Sequence, residues 1–294
     1  FCRVADDEVD EGYDKTRAVL NLGARLDRVY RSCPDNRPED RAMAHLVEVC
    51  ALPRQLPEAL IEGLAWDADG RRYDSISGVY AYSSRVASAV GVMMCVLMGV
   101  RDRHLLARAC DLGVAMQLTN IARDVGEDAR AGRFYLPLQW CHEAGLDVQA
   151  FLEQPQCTQA LRKVTRRLLA DARRLYIRSE AGISGLPFEG RTAIWAARLI
   201  YAGIGNALVV NKFDNINHRA RTTAYQKFGW LAQAGCRAAI GSITPRMAVV
   251  YAPPLDEVSY LVEAARTPEH TYDASQSLID ILAHLAKRDH VSMS

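Results

Sequence analysis

Four aspartates define the chemistry open to this chain. Asp6 and Asp10 lie four residues apart in FCRVADDEVDE, and Asp124 and Asp128 lie four apart in QLTNIARDVGEDAR. Both segments read as helix, and residues four apart on a helix share a face. Each pair therefore sets two like charges side by side, which destabilises a helix by roughly 0.2–0.5 kcal/mol. Two such pairs, distant in sequence, make physical sense where they converge on cations. Carboxylates that supply part of a coordination sphere, with phosphate oxygens and water supplying the rest, describe Mg²⁺ bound with a diphosphate.

The second segment is the richer one. Gln117, Asn120, Asp124 and Asp128 follow at offsets of three, four and four, a polar stripe along an otherwise apolar helix. Burying two amides and two carboxylates is costly unless each finds a partner. Metal ions and a polyanion would satisfy them all; a solvent-facing stripe on an ordinary amphipathic helix is the plainer alternative. Arg3, three residues before Asp6, could neutralise a carboxylate or fork onto phosphate. Alone, the run DDEVDE says little, because most acidic runs are solvated helix faces. Beyond the second pair, Arg130 and Arg133 flank a break at Gly132–Pro137. There a cationic flap over a diphosphate competes with a solvated loop.

Between the motifs, YAYSSRVASAVGVMM places Ala87, Ala89 and Gly91 on an apolar face, and Ala109 and Gly113 follow on the next helix. Small residues allow either close helix packing or a channel for a long hydrocarbon. A metal-loaded mouth opening into a Met-rich apolar interior suits a substrate with a diphosphate head and a greasy tail.

The elements that must position these residues are helices. Apolar positions recur every three or four residues in Thr16–Arg31, Arg41–Leu52, Pro57–Trp66, Gly78–Met98, Asp102–Asp128, Thr158–Glu180, Arg191–Phe213, Thr223–Ala239, Leu255–Arg266 and Ser275–Arg288. Breaks fall at Ser32–Pro38, Gly70–Ser77, Gly132–Pro137, Gly182–Pro187 and Thr244–Pro254. The one strand-like stretch, Met247–Tyr251, is short and runs into Pro253-Pro254. No repeat or linker divides the 294 residues, so the expectation is one all-α domain over 1–294.

Composition narrows the class. With 36 basic and 35 acidic residues, the net charge of +1 gives no basic excess for nucleic acid. Eight scattered cysteines without a CxxC pair argue against zinc and for a reducing cytoplasm. The apolar run Val86 to Val100 falls short of the roughly 20 residues that span a bilayer, and is expected as a core helix. The chain opens at Phe1, partway into the first acidic motif, and reads as lacking an N-terminal segment.

DDEVD, RVASAVGVMM and above all AMQLTNIARDVGEDARAGRFYLP resemble the squalene/phytoene synthase family of head-to-head prenyl transferases, from Phe1 through at least Lys227. The resemblance implies an isoprenoid synthase bundle around a deep central cavity, with two aspartate-rich motifs facing each other across its mouth. By position it implies metal binding at Asp6, Asp10, Asn120, Asp124 and Asp128, and diphosphate contact at Arg3 with help from Gln117. Tyr82 falls near the reacting carbons, while Tyr201, Arg219 and Lys227 match positions that contact diphosphate or its metals. Ala87, Gly91 and Gly113 are expected beside the hydrocarbon. The implied reaction joins two geranylgeranyl diphosphates through a cyclopropylcarbinyl diphosphate to phytoene, the first committed step of carotenoid biosynthesis. Mg²⁺, or Mn²⁺ in its place, serves as cofactor, with no nicotinamide or flavin. The expected setting is cytoplasmic, with peripheral membrane contact and contact with downstream carotenoid enzymes. Oligomeric state is not legible.

Two departures stand out. The family's N-terminal helix, with its diphosphate-binding segment, is not in the sequence. Ser83, Ser84, Ser88 and Ala89 replace bulkier or Gly/Thr residues. Competing readings are a C15 user making dehydrosqualene, presqualene diphosphate or hydroxysqualene, a non-catalytic member acting as an assembly factor, and a head-to-tail elongase or terpene cyclase.

Overall fold

A computed structural model describes residues 1–10, 15–241 and 247–266, with the side chains of Asp6 and Asp10 outside the described set. The helix expected over Ser275–Arg288 also lies outside the described residues. Every regular element among the described residues is helical.

The centre of the fold is a long helix, α7 (Arg103–Arg130), which begins at a capped end. The Asp102 side chain accepts from the backbone N–H groups of His104 at 2.9 Å and Leu105 at 3.0 Å, satisfying donors that a helix start otherwise leaves bare. Leu106, Cys110, Val114, Ala115, Leu118 and Ala122 are fully buried on it. Around α7 pack α5 (Ile76–Ser83), α6 (Ala89–Leu97), α10 (Gln159–Ile183), α11 (Phe188–Val210) and α13 (Ser259–Arg266), with α4 (Gln55–Ala68) packed against α6. α1 (Cys2–Asp10), α2 (Lys15–Tyr30) and α3 (Pro38–Cys50) cover one end; α2 and α3 are clamped by buried Arg25, which bonds Asp40 at 2.7 Å and reaches Glu8 at 2.7 Å.

Some elements escape periodicity. α8 (Leu138–Ala144) and α9 (Val148–Glu153) are two turns or less, too short for a repeat to register. The strand-like stretch at Met247–Tyr251 is a 3₁₀ turn, Ala248–Tyr251. The expected single helix Gly78–Met98 is interrupted by a π-helical turn, Ser84–Ser88, where the Ala89 N–H reaches back to the Ser84 carbonyl. Serine hydroxyls loosen the helical ladder here: Ser83 donates to the Val79 carbonyl and Ser84 to that of Ala81, both at 2.7 Å.

Among the described residues two helical stretches, Ile76–Leu97 and Phe188–Val210, have the length and composition to cross a membrane; 61% of the most apolar 18-residue window of the first and 33% of that of the second is buried within the fold. The first contains most of the apolar run expected as a core helix and extends it beyond the length read from sequence.

Candidate active site

The polar stripe of α7 opens onto a cavity rather than onto bulk solvent. Asn120, Asp124 and Asp128 line a mouth of about 680 Å³ together with Arg3, Tyr82 and Arg219. Gln117, Asn120 and Tyr201 also line a second, apolar cavity of about 340 Å³, so the two spaces meet at these residues. Ala87, Gly91 and Gly113 lie in the apolar lining, along with Met94, Met98 and Met116. The structure thus brings together every expected site residue with a described side chain except one. Lys227 is exposed in the first turn of α12 (Ala224–Ile240) and lines neither cavity.

Asp124 is held by arginines on two sides. Arg123 donates from Nε to Oδ1 at 2.8 Å and pairs through Nη2 with Oδ2. Arg219 Nε reaches Oδ1 at 3.0 Å, and its Nη1 lies 3.1 Å from Glu127. Arg219 arrives there because the preceding segment lies on α7. The Gly126 N–H donates to the Asn215 carbonyl at 3.2 Å, and Arg130 Nη2 donates to the Ile216 carbonyl at 2.9 Å. A Cβ at Gly126 would sit 2.8 Å from the Asn215 oxygen, so only glycine permits this approach. Arg130 is therefore a strut for that segment, not a flap over the mouth. Arg133 does line the mouth, with Nη2 3.5 Å from Asp128.

Whether these groups suit a divalent cation can be judged from their own strain. Asn120 Oδ1 is buried with no hydrogen-bond donor among the described residues. Burial pushes the Asp128 carboxyl up to about 7 against the pull of Arg133, and Asp124, Asp67 and Glu127 add like-charge repulsion. A cation at this point would relieve both. Among the described residues no three acidic, His or Cys side chains form a complete ligand set. Further donors must come from elsewhere, as with a metal shared with phosphate.

One cluster had no sequence signal strong enough to find it. Asp67, at the end of α4, accepts from Tyr82 at 2.8 Å and from Tyr135 at 2.7 Å. The Tyr82 and Tyr135 rings stack with centroids 5.1 Å apart, and Tyr73 lies 5.4 Å from Tyr82. Burial, the nearby Asp67 charge and their own hydrogen bonds push both hydroxyls far above their ordinary range, so they stay protonated donors. Tyr135 belongs to the GRFYLP stretch and could have been singled out there; Asp67 belongs to no motif.

The two channel glycines serve different ends. At Gly113 a Cβ would lie 2.6 Å from the Ser88 Cα, so this glycine lets α7 press against the π-helical turn. At Gly91 the nearest atom would be the Ala109 oxygen at 3.5 Å, an ordinary contact that leaves the space open.

The profile of the squalene/phytoene synthase family matches residues 1–226. The chain is 55% identical to a phytoene synthase of Cereibacter sphaeroides, across 98% of this chain and 84% of that one. It is 35% identical to a 15-cis-phytoene synthase of Enterobacter agglomerans, across 87% and 90%. Among solved structures it resembles a dehydrosqualene synthase in complex with ligand, with a TM-score of 0.74, 26% identity, and coverage of 81% of this chain and 84% of the other. A helical fold with a charged mouth over an apolar channel, a match to most of the chain and this degree of identity lead to one assignment: the chain belongs to the squalene/phytoene synthase family of head-to-head prenyl transferases.

Proposed function

We propose that this chain condenses two geranylgeranyl diphosphates head to head to give phytoene, with Mg²⁺ as the metal. The observation that carries the reading is the junction of the two cavities at Gln117, Asn120 and Tyr201, where a charged mouth becomes an apolar channel. A diphosphate lodged among Arg3, Arg123 and Arg219 would leave its allylic carbon at that junction and its tail inside the channel. Asp124, Asp128 and Asn120 would hold the metal, which supplies Lewis-acid stabilisation of the departing diphosphate.

The protein's own groups account for the remainder. Tyr82 and Tyr135, oriented by Asp67, form an aromatic wall whose ring faces attract developing positive charge by about 0.5–2 kcal/mol. Arginines now paired with the mouth carboxylates can turn to the phosphate oxygens as those carboxylates take up metal. The methionine- and valine-rich channel keeps water from the reacting carbons.

Channel length accommodates the full C20 tail. Its α7 lining runs from Asn120 to Leu105, a rise of about 22 Å. Scaled from the per-bond advance of an extended chain, the C20 tail spans about 18 Å and the C15 tail about 13 Å. Incubating the protein with each diphosphate and Mg²⁺, then identifying the hydrocarbon, tests the assignment. A C40 hydrocarbon carrying a conjugated triene at its centre is expected. Release of C30 products alone would overturn the C20 substrate, and no condensation with either would overturn the reading as a whole.

A further inference from the structure

The charge on α10 does not follow that of the chain. The whole sequence carries a net +1, yet α10 alone has seven basic and two acidic residues. The fold uses four of the seven. Arg162 donates to the Lys212 carbonyl at 2.7 Å, Arg167 pairs with Glu143 at 2.6 Å, Arg174 lies 3.8 Å from Asp171, and Arg178 lies 3.1 Å from Asp111. Arg166 and Arg173 have no ion-pair partner among the described residues, and Arg166 merely stacks over the Phe213 ring at 5.1 Å.

These two arginines line a separate cleft of about 440 Å³ between α10 and α11. Arg198 enters it from α11, with Nη2 2.6 Å from Glu180 and a buried Nε that has no hydrogen-bond acceptor among the described residues. Three guanidiniums beside a single carboxylate leave uncompensated positive charge, and their planar forks match phosphate oxygens. The remaining lining is largely apolar, including Leu169, Ala202 and Val209. Of this lining Val209 is 52% exposed, and its chain neighbour Val210 on α11 and Ile177, next to the lining residue Tyr176 on α10, are exposed as well. Basic groups flanked by exposed aliphatic side chains fit the boundary between lipid headgroups and acyl chains. A single nucleic-acid strand would instead call for stacking aromatics along a continuous basic track.

We propose that the α10–α11 cleft binds the phosphate of an anionic lipid and seats this face of the protein on a charged membrane surface. The site is distinct from the diphosphate mouth and does not depend on the condensation reading.

The test is co-flotation of the full chain with phosphatidylcholine vesicles, with and without phosphatidylglycerol. Binding should require the anionic lipid and weaken with salt. At roughly fivefold per basic residue near the surface, R166Q/R173Q should lower partitioning about thirtyfold, with condensation in detergent and thermal midpoint unchanged. The matched pair K163Q/R167Q, on α10 but outside the cleft lining, should lose far less. An equal loss in both pairs would make the attraction diffuse and overturn the cleft site, as would wild-type binding to neutral vesicles alone. If inorganic phosphate protects the wild type and not R166Q/R173Q while vesicles fail to bind, the lipid occupant is overturned. Equal competition by a short duplex DNA would overturn it in favour of nucleic acid.

Discussion

The mouth and the channel share five lining residues, Val86, Val90, Gln117, Asn120 and Tyr201, yet they are specified in opposite ways. In the mouth, identity is what counts: Asp124, Asp128, Asn120 and Arg219 each supply a charge or lone pair that no other residue type would place there. In the channel, identity matters less than volume. Its walls are interchangeable apolar groups, and its shape is set by which glycines touch backbone and which face open space. A site can thus be chemically exact at one end and merely spacious at the other, with one helix serving both.

The sharpest way to break this comparison is to remove charge from the mouth. D124A/D128A should lower condensation by at least about a thousandfold, since a single lost electrostatic stabiliser already costs 10²–10³-fold. Hydrocarbon yield per unit of folded protein measures this, and a loss under tenfold would show that the α7 carboxylates do not hold the metal. Next in size is Asp67→Asn, which weakens the acceptor shared by Tyr82 and Tyr135. An outer partner of this sort typically controls about 10–100-fold in activity. In the proposed reading the rings would stabilise developing positive charge rather than grip the diphosphate, so the fall should appear in kcat more than in KM.

The two glycines sharpen the contrast within the channel. Gly113→Ala forces a methyl into the Ser88 backbone and should cost about 1–3 kcal/mol, lowering the thermal midpoint by several degrees. Gly91→Ala should gain up to about 1 kcal/mol from helix propensity, while narrowing the channel and disfavouring the C20 substrate relative to C15. Equal effects on stability would erase the distinction drawn between them.

The smallest expected effect concerns pH. In metal-free protein the Asp128 carboxyl titrates near 7, above its value in an unfolded chain. Its neutral form is the one the fold favours, so the contribution is full below the unfolded-chain value of about 4 and is lost as pH rises from there to about 7. Chemical denaturation in chelator should therefore show stability falling across that window. D128N should flatten the slope; an unchanged slope would assign it to other groups.

Against this background, what the sequence revealed follows the same division. The mouth was legible because its side chains repeat at helical spacing, and because Asn120 in a helix interior has no structural merit. The role of Arg130 was misjudged because its acceptor, the Ile216 carbonyl, belongs to a segment 86 residues away. Asp67 was invisible for the same reason: its partners come from α5 and from the stretch after α7, and only packing joins them. α8 and α9 are too short to show a period, and the π-helical turn follows from serine hydroxyls whose acceptors the sequence does not name.

That turn has a consequence for how the wall facing α7 tolerates change. Its one surplus residue rephases the screw of the polypeptide, so that Tyr82 before it fronts the mouth, Val90 after it fronts both cavities, and Gly91 and Met94 front the channel. Deleting any single position within Ser84–Ser88 would restore ordinary winding and swing everything on one side by about 100°. Methionines and valines would then revolve out of the tunnel. Point substitutions along this segment should be far gentler than indels, and a one-residue frame slip here would be as damaging as losing a catalytic carboxylate.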